Sequence, residues 1–249
     1  MSEYFKKGFR LLLQSPEIYF ATLLLSVLNL TILNLSKFVS LNFLLWTFIN
    51  VVSYLIYISY SFSIPILFTF KQQKKKITPT LVVDTSAPLL KRLILPMILL
   101  VLLFFIALSI FVIVAIQIYG PHKQPPNLFG NIFNSSFPQT FFTTALGTSI
   151  VSLLLFIGIY FSIEKFGLFV SIAKSMKLSV KNLPFVSQAF LLLYVSYILD
   201  VFIYGKDPIT SQSYLLKSFL ISPLSAGVYL WVTATVLLYY QSIKRNTSN

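Results

Sequence analysis

The apolar positions of this chain fall into six long runs, separated by shorter segments that carry almost all of the charge. A transmembrane helix needs about 20 consecutive, mostly apolar residues to cross the hydrocarbon core of a bilayer. Five of the runs contain no charged residue, and the fifth contains only Asp200. The pattern predicts an all-α polytopic integral membrane protein, with a single transmembrane domain over 1–249. The six predicted transmembrane helices are 18–36, 41–70, 93–119, 139–163, 183–204 and 218–241. Pro65 predicts a kink in the second, because proline removes a backbone donor.

Amphipathic segments precede the first, third and fifth predicted spans, at 2–14, 78–92 and 166–182. In the first of these, Phe5, Phe9 and Leu12 recur at helical spacing while the basic residues point elsewhere. That pattern is typical of an interfacial helix whose apolar face lies in lipid. Ser15 as a cap and Pro16 at the first helical position predict that the chain stops and restarts before span one. We therefore expect three units, each a surface helix followed by a two-span hairpin.

Composition excludes a water-exposed globular domain. Charged residues make up 10% of the chain, hydrophobic residues 57%, and the mean hydropathy is +0.84. A soluble domain carries about 25% charged residues. Cysteine is absent, which excludes disulfides and thiolate metal sites. The basic N-terminus is followed by no small-residue cleavage site, so we expect the first span to be retained.

The net charge of +13 is distributed unevenly between the two sides of the predicted membrane domain. With six alternating crossings, fifteen of the 19 basic residues lie on the side of the two termini. Positively charged loops stay in the cytoplasm. The asymmetry predicts that both termini are cytoplasmic, that the amphipathic segments are cytoplasmic, and that the loop 120–138 is extracytoplasmic.

A cluster of four lysines, Lys71 and 74–76, would suggest nucleic acid in a soluble protein. No base-reading or strand-stacking motif surrounds it, so we expect no nucleic-acid partner. Basic residues recur beside all three amphipathic segments, more than orientation alone requires, which predicts a surface for anionic lipid headgroups or an acidic partner. The candidate lipid- or partner-binding residues are Lys6, Lys7, Arg10, Lys74, Lys75, Lys76, Lys91, Arg92, Lys174, Lys177 and Lys181.

Few residues could support catalysis. His122, the one histidine, lies in the predicted outer loop, and no acid set has metal-ligand spacing. We therefore expect no enzyme activity, no metal and no cofactor. Asp200 is the one ionisable residue inside a predicted span, which suggests function by default. Its distance from Leu183, about 25 Å along a helix, places it near the outer headgroups, where a structural role is the favoured interpretation and a transport or binding role the alternative.

Asn134 begins an Asn-Ser-Ser acceptor pattern for glycosylation in the predicted outer loop. The Asn-x-Ser/Thr pattern also occurs at Asn29 and Asn34 inside span one, where no sugar could attach, so chance is the favoured explanation. Polar residues also form stripes on the spans, such as Thr22, Ser26 and Asn29. Helix packing explains such stripes in lipid, and a polar pathway is the alternative.

Six spans, a surface helix before each odd span, and the stretch SIAKSMKLSVKNLPFVSQAFLLL together resemble a group of prokaryotic membrane proteins. That group is typified by the membrane domain attached to some glycerophosphodiester phosphodiesterases. The soluble phosphodiesterase domain of the family is missing here, so the resemblance implies a membrane module and no enzymatic activity.

Three functions follow from these patterns. The first is a non-catalytic membrane module that binds membrane lipids, anionic ones above all, or a protein partner through its basic cytoplasmic helices. The second is the permease subunit of an ABC-2-like transporter, in which 78–92 would meet a cytoplasmic ATPase. The segment 205–217 is short for the external helices of that class. A membrane-embedded phospholipid enzyme is the third.

Overall fold

The computed structural model describes residues 2–34, 43–119, 137–204 and 212–248, and the regular elements in these ranges are α-helices. In chain order they are α1 (Ser2–Leu13), α2 (Pro16–Asn34), α3 (Phe43–Gln72), α4 (Pro79–Tyr119), α5 (Phe137–Leu153), α6 (Ile157–Ser162), α7 (Leu168–Lys181), α8 (Leu183–Tyr204) and α9 (Gln212–Ser248).

The all-helical class is confirmed, and several helices have the length and apolar composition of a membrane span. Within the described ranges, three stretches pass this test, at Thr47–Gln72, Thr144–Ser162 and Leu220–Thr247. Two sharply bent helix pairs raise the number to five if each is one span. These pairs are α1 with α2, at 79°, and α7 with α8, at 104°.

The bend between α1 and α2 is built around Ser15. The sequence predicts a cap for α2 here, but the Ser15 hydroxyl donates to the carbonyl of Leu11 at 2.7 Å and so satisfies the end of α1. The last carbonyls of a helix have no partner within the helix, and a buried hydroxyl needs an acceptor. Pro16 begins α2 as expected.

Helix α1 buries most of its apolar face in the protein, which corrects the prediction that this face lies in lipid. Phe5, Leu11 and Leu12 are buried in the protein core, mainly against α9. The Trp231 indole of α9 donates to the carbonyl of Phe5 at 2.8 Å. Phe9 and Leu13 remain exposed. The apolar face of α1 is therefore covered largely by protein.

The amphipathic segment 78–92 is also not a separate helix, because α4 runs without a break from Pro79 to Tyr119. Pro88 and Pro96 lie inside it. Leu89 and Leu93 share one face and are buried together against α3. This packing compensates for the backbone hydrogen bonds that the prolines remove.

The predicted span 139–163 is divided into α5 and α6 by a turn at 154–156. The turn is held by α7, whose buried face is a row of serines. Ser175 and Ser179 donate to the carbonyl of Leu153 at 3.2 and 3.0 Å, and the Phe156 N–H donates to Ser175 Oγ at 3.1 Å. Hydroxyl groups from a distant segment thus satisfy backbone groups that the break would leave unpaired.

Helix α9 lies at the centre of the described bundle and contacts α1, α2, α3 and α8. Leu230 and Leu237 of α9, with Tyr60 and Phe68 of α3, are almost fully buried in the main core. Pro65, where the sequence predicts a kink, lies inside the continuous helix α3.

Candidate functional site: the basic end of the bundle

The C-terminal half of α9 contacts three other segments that the sequence assigns to the same side of the membrane as the end of α9. The contacts are Trp231 with Phe5, Gln241 with Gln72, Tyr239 with Asn182 and Lys244 with Glu164, at 2.8, 3.0, 2.8 and 2.7 Å. Residues 2–17, 71–92, 163–182 and 239–245 therefore meet at one end of the molecule, which we call the basic end. All eleven candidate basic residues lie in these segments.

On α1, the side chains of Lys6, Lys7 and Arg10 are exposed on the face away from the core. Lys7 pairs with Glu3 at 2.7 Å, one helical turn before it. Both side chains are solvated, so this pair contributes little to stability.

The loop after α3 projects three exposed lysines, 74–76. Lys71, just before them, pairs with Glu17 at 3.0 Å. A backbone hydrogen bond and this lysine hold the pKa of Glu17 below its ordinary value. Lys74 has a φ of 59°, and the N–H of Lys75 donates to the carbonyl of Phe70 at 3.0 Å. This is a left-handed helix ending of the kind usually made by glycine.

On α7, apolar and basic side chains share the exposed surface while serines face the protein. Phe169, Val170, Met176 and Val180 are exposed. Lys177 and Lys181 are exposed among them. An exposed surface that mixes apolar and cationic side chains is typical of a helix in the headgroup region of a membrane.

Arg92 and Lys174 differ from the other nine candidate residues because their side chains are half-buried. The Arg92 guanidinium lies 4.3 Å from the centre of the Phe161 ring and donates to the carbonyl of Phe166 at 2.7 Å. The Lys174 ammonium lies 3.4 Å from the centre of the Phe166 ring. The two cations therefore converge on one residue of the loop between α6 and α7.

The acid nearest this pair, Glu164, is committed to the end of α9. It accepts hydrogen bonds from Lys244 at 2.7 Å and from the Tyr240 hydroxyl at 2.9 Å. The Lys244 hydrogen bond is the main reason that the pKa of Glu164 is held below its ordinary value, and Lys174 adds a smaller electrostatic contribution.

Polar side chains predicted to pack the spans also find partners. The hydroxyls of Thr22 and Tyr60 are 2.9 Å apart, and Ser53 donates to Asn29 Oδ1 at 3.0 Å. These bonds join α2 to α3, as the packing interpretation expects. An apolar cavity of 280 Å³ lies between the same two helices.

Other predicted positions are not brought into this site. Asp200 lies in α8, and its side chain is outside the described part of the structure. Asn134 and His122 lie outside the described residues as well. In the described ranges, no group of three His, Asp or Glu side chains is arranged to hold a metal ion.

Sequence reasoning missed two features of the basic end. Lys165, like Lys74, has a left-handed backbone, with a φ of 57°, and a lysine gives no signal for a conformation that glycine usually adopts. Phe161 and Phe166 are five positions apart, and this spacing matches no known motif. Their contacts with Arg92 and Lys174 depend on the tertiary fold.

Comparison of the chain with protein-family models, curated proteins and solved structures gives no match. The functional assignment therefore rests on the geometry of the basic end.

Proposed function

We propose that this chain is a six-span integral membrane protein with both termini in the cytoplasm, and that its basic end binds anionic lipid headgroups. The observation that supports the proposal is the convergence of three separate basic segments, 2–17, 71–92 and 163–182, at one end of the bundle through contacts with α9. Orientation in the membrane requires positive charge on one side, but it does not require those segments to be assembled.

The electrostatics of a membrane surface favour this arrangement. A lysine or arginine near an anionic leaflet contributes about 1 kcal/mol to binding, and the attraction falls off within a Debye length of about 8 Å in physiological salt. Nine of the eleven candidate side chains are exposed and can approach headgroups. The apolar side chains between the lysines of α7 would enter the acyl boundary.

The test is a triple substitution of 74–76 to glutamine. Lys71, Lys91 and Arg92 remain in that loop, so the orientation should not change. We expect the purified variant to retain less anionic phospholipid than the wild type, as quantified by mass spectrometry of the co-eluting lipids. The difference should be larger at low salt than at high salt.

A matched control removes three charges from the predicted outer side, with Lys37, Lys123 and Lys206 changed to glutamine. These changes should leave the anionic lipid content unaltered. Equal lipid loss in both variants would mean that net charge alone matters, and unchanged lipid in both would mean that the lysines serve orientation only. Either result contradicts the proposal.

One observation favours the second candidate, a permease subunit that works with a cytoplasmic ATPase. Helix α4 is continuous from 79–92 into the predicted third span. A force applied to 79–92 would therefore be transmitted directly to the part of the helix that lies in the membrane. Val83 is an exposed apolar residue on it. If an ATP-hydrolysing subunit co-purifies with the protein, Val83→Asp should release it, and an unchanged complex would reject this segment as the contact.

A further inference from the structure

The two half-buried cations of the basic end occupy a different environment from its exposed lysines. Arg92 lies against the Phe161 ring and bonds to the carbonyl of Phe166, and Lys174 lies against the ring of Phe166. The aromatic rings restrict the rotamers of both side chains. A pair of positioned cations can select one group, whereas fully exposed lysines attract any anion.

Resting on the proposed function, we infer that Arg92 and Lys174 together form a specific site for the phosphate of an anionic phospholipid. A guanidinium has five N–H donors in a planar fork that matches phosphate oxygens, and its bond to Phe166 uses one of them. Lys174 supplies a second positive charge beside the same loop. Glu164, the acid whose charge acts on Lys174, accepts hydrogen bonds from Lys244 and Tyr240 at Oε1, and the Lys244 ammonium offsets its negative charge.

The apolar surface next to Arg92 indicates a lipid and not a free phosphate ion. Leu95, Leu99 and Leu102 follow Arg92 at spacings of three, seven and ten residues, so they share its side of α4, and all three are exposed. This stripe leads from the cation into the predicted third span. A phospholipid whose phosphate is on Arg92 would lay an acyl chain along these leucines.

The loop between the cations is exposed at Gly167. Gly167 directly follows Phe166, and a Cβ added to it would meet no atom of the described structure within 4 Å. Gly167 also occupies the N-cap position of α7 and gives it no capping side chain. An aspartate here would be a better cap and would place a negative charge next to Phe166, the residue that both cations contact.

The experiment is a native mass-spectrometry titration with phosphatidylglycerol and with phosphatidylcholine of identical acyl chains. We expect the wild type to prefer phosphatidylglycerol, because neighbouring cations repel the choline group. Arg92→Gln and Lys174→Gln should each weaken phosphatidylglycerol binding about tenfold, the effect of losing a hydrogen bond to a charged group. Lys217→Gln, the same charge change on a lysine of the predicted outer side, should have little effect.

Gly167→Asp separates binding from folding. This variant should melt no lower than the wild type, since it adds a helix cap, yet it should lose phosphatidylglycerol binding. Unchanged binding in Arg92→Gln, Lys174→Gln and Gly167→Asp, or equal loss in Lys217→Gln, overturns the site but leaves the wider proposal standing. A wild type without preference for phosphatidylglycerol overturns both. Inorganic phosphate that binds as tightly as the lipid would overturn the assignment to a phospholipid.

Discussion

Gly8 sets how closely α1 can approach α9. A Cβ at this position would lie 2.9 Å from the backbone nitrogen of Thr235 and 3.0 Å from its Cα. Backbone atoms cannot rotate away, so Gly8→Ala must push the two helices apart. We expect a loss of about 1–3 kcal/mol in stability, measured as a lower melting temperature in detergent.

The same substitution at Gly147 is the control for this prediction. Gly147 lies inside α5, and an added Cβ would meet no described atom within 4 Å. Replacing a glycine inside a helix by alanine stabilises it by about 0.5–1 kcal/mol. The two variants should therefore shift melting in opposite directions, and a destabilisation of equal size at both positions would contradict the packing described for Gly8.

Glu164 makes stability depend on acid pH. Its pKa in the folded protein lies below the ordinary value of 4.5, chiefly because Lys244 donates to it. A carboxyl group with a lowered pKa contributes stability above pH 4.5 and loses it as the pH falls through the folded pKa. The melting temperature of the wild type should therefore drop below about pH 4.5 more steeply than that of Glu164→Gln. Parallel pH profiles for the two proteins would show that the Lys244 contact is not maintained.

Among the helices, the joint between α7 and α8 depends on one side chain of α9. The Tyr239 hydroxyl donates to Asn182 Oδ1 at 2.8 Å, and its ring stacks on Phe185 with centroids 3.9 Å apart. Tyr239→Phe keeps the stack and loses one hydrogen bond, which should cost about 1 kcal/mol. Tyr239→Ala should cost about 3 kcal/mol or more. If both variants melt alike, the stacking contributes nothing to the joint.

The boundaries of the apolar runs predict single helices well where the chain is uninterrupted. The predicted fifth span, 183–204, is helix α8 from end to end. The break at 154–156 could not be predicted, because no proline or glycine lies within it and the hydroxyls of Ser175 and Ser179 hold it from another segment. At 78–92 the sequence predicts a separate helix where the structure has a continuous one. This difference also depends on tertiary contacts, because the buried side chains of Leu89 and Leu93 stabilise α4 directly after Pro88.

The candidate site is predictable as a set of charges but not as a geometry. Lysine and arginine positions assign fifteen residues to one side, and the structure places together the described segments that carry the eleven candidate binding residues. Periodicity cannot tell whether an apolar stripe faces lipid or protein, which is why the pattern predicts α1 in the bilayer although its apolar face is buried against α9. The distinction between Arg92 and an exposed lysine likewise depends on aromatic rings from other segments.

For the molecule as a whole, the central claim is that the basic end faces the cytoplasm. Cysteine is absent from the chain, so a single cysteine can report the side of the membrane on which it lies. Lys75 is exposed at the basic end, and Asn131 lies outside the described residues in the loop predicted to be extracytoplasmic. In intact cells, an impermeant thiol reagent should label Asn131→Cys and leave Lys75→Cys unlabelled until the membrane is permeabilised. Labelling of Lys75→Cys but not Asn131→Cys from outside would contradict the orientation and, with it, the proposed cytoplasmic lipid-binding surface.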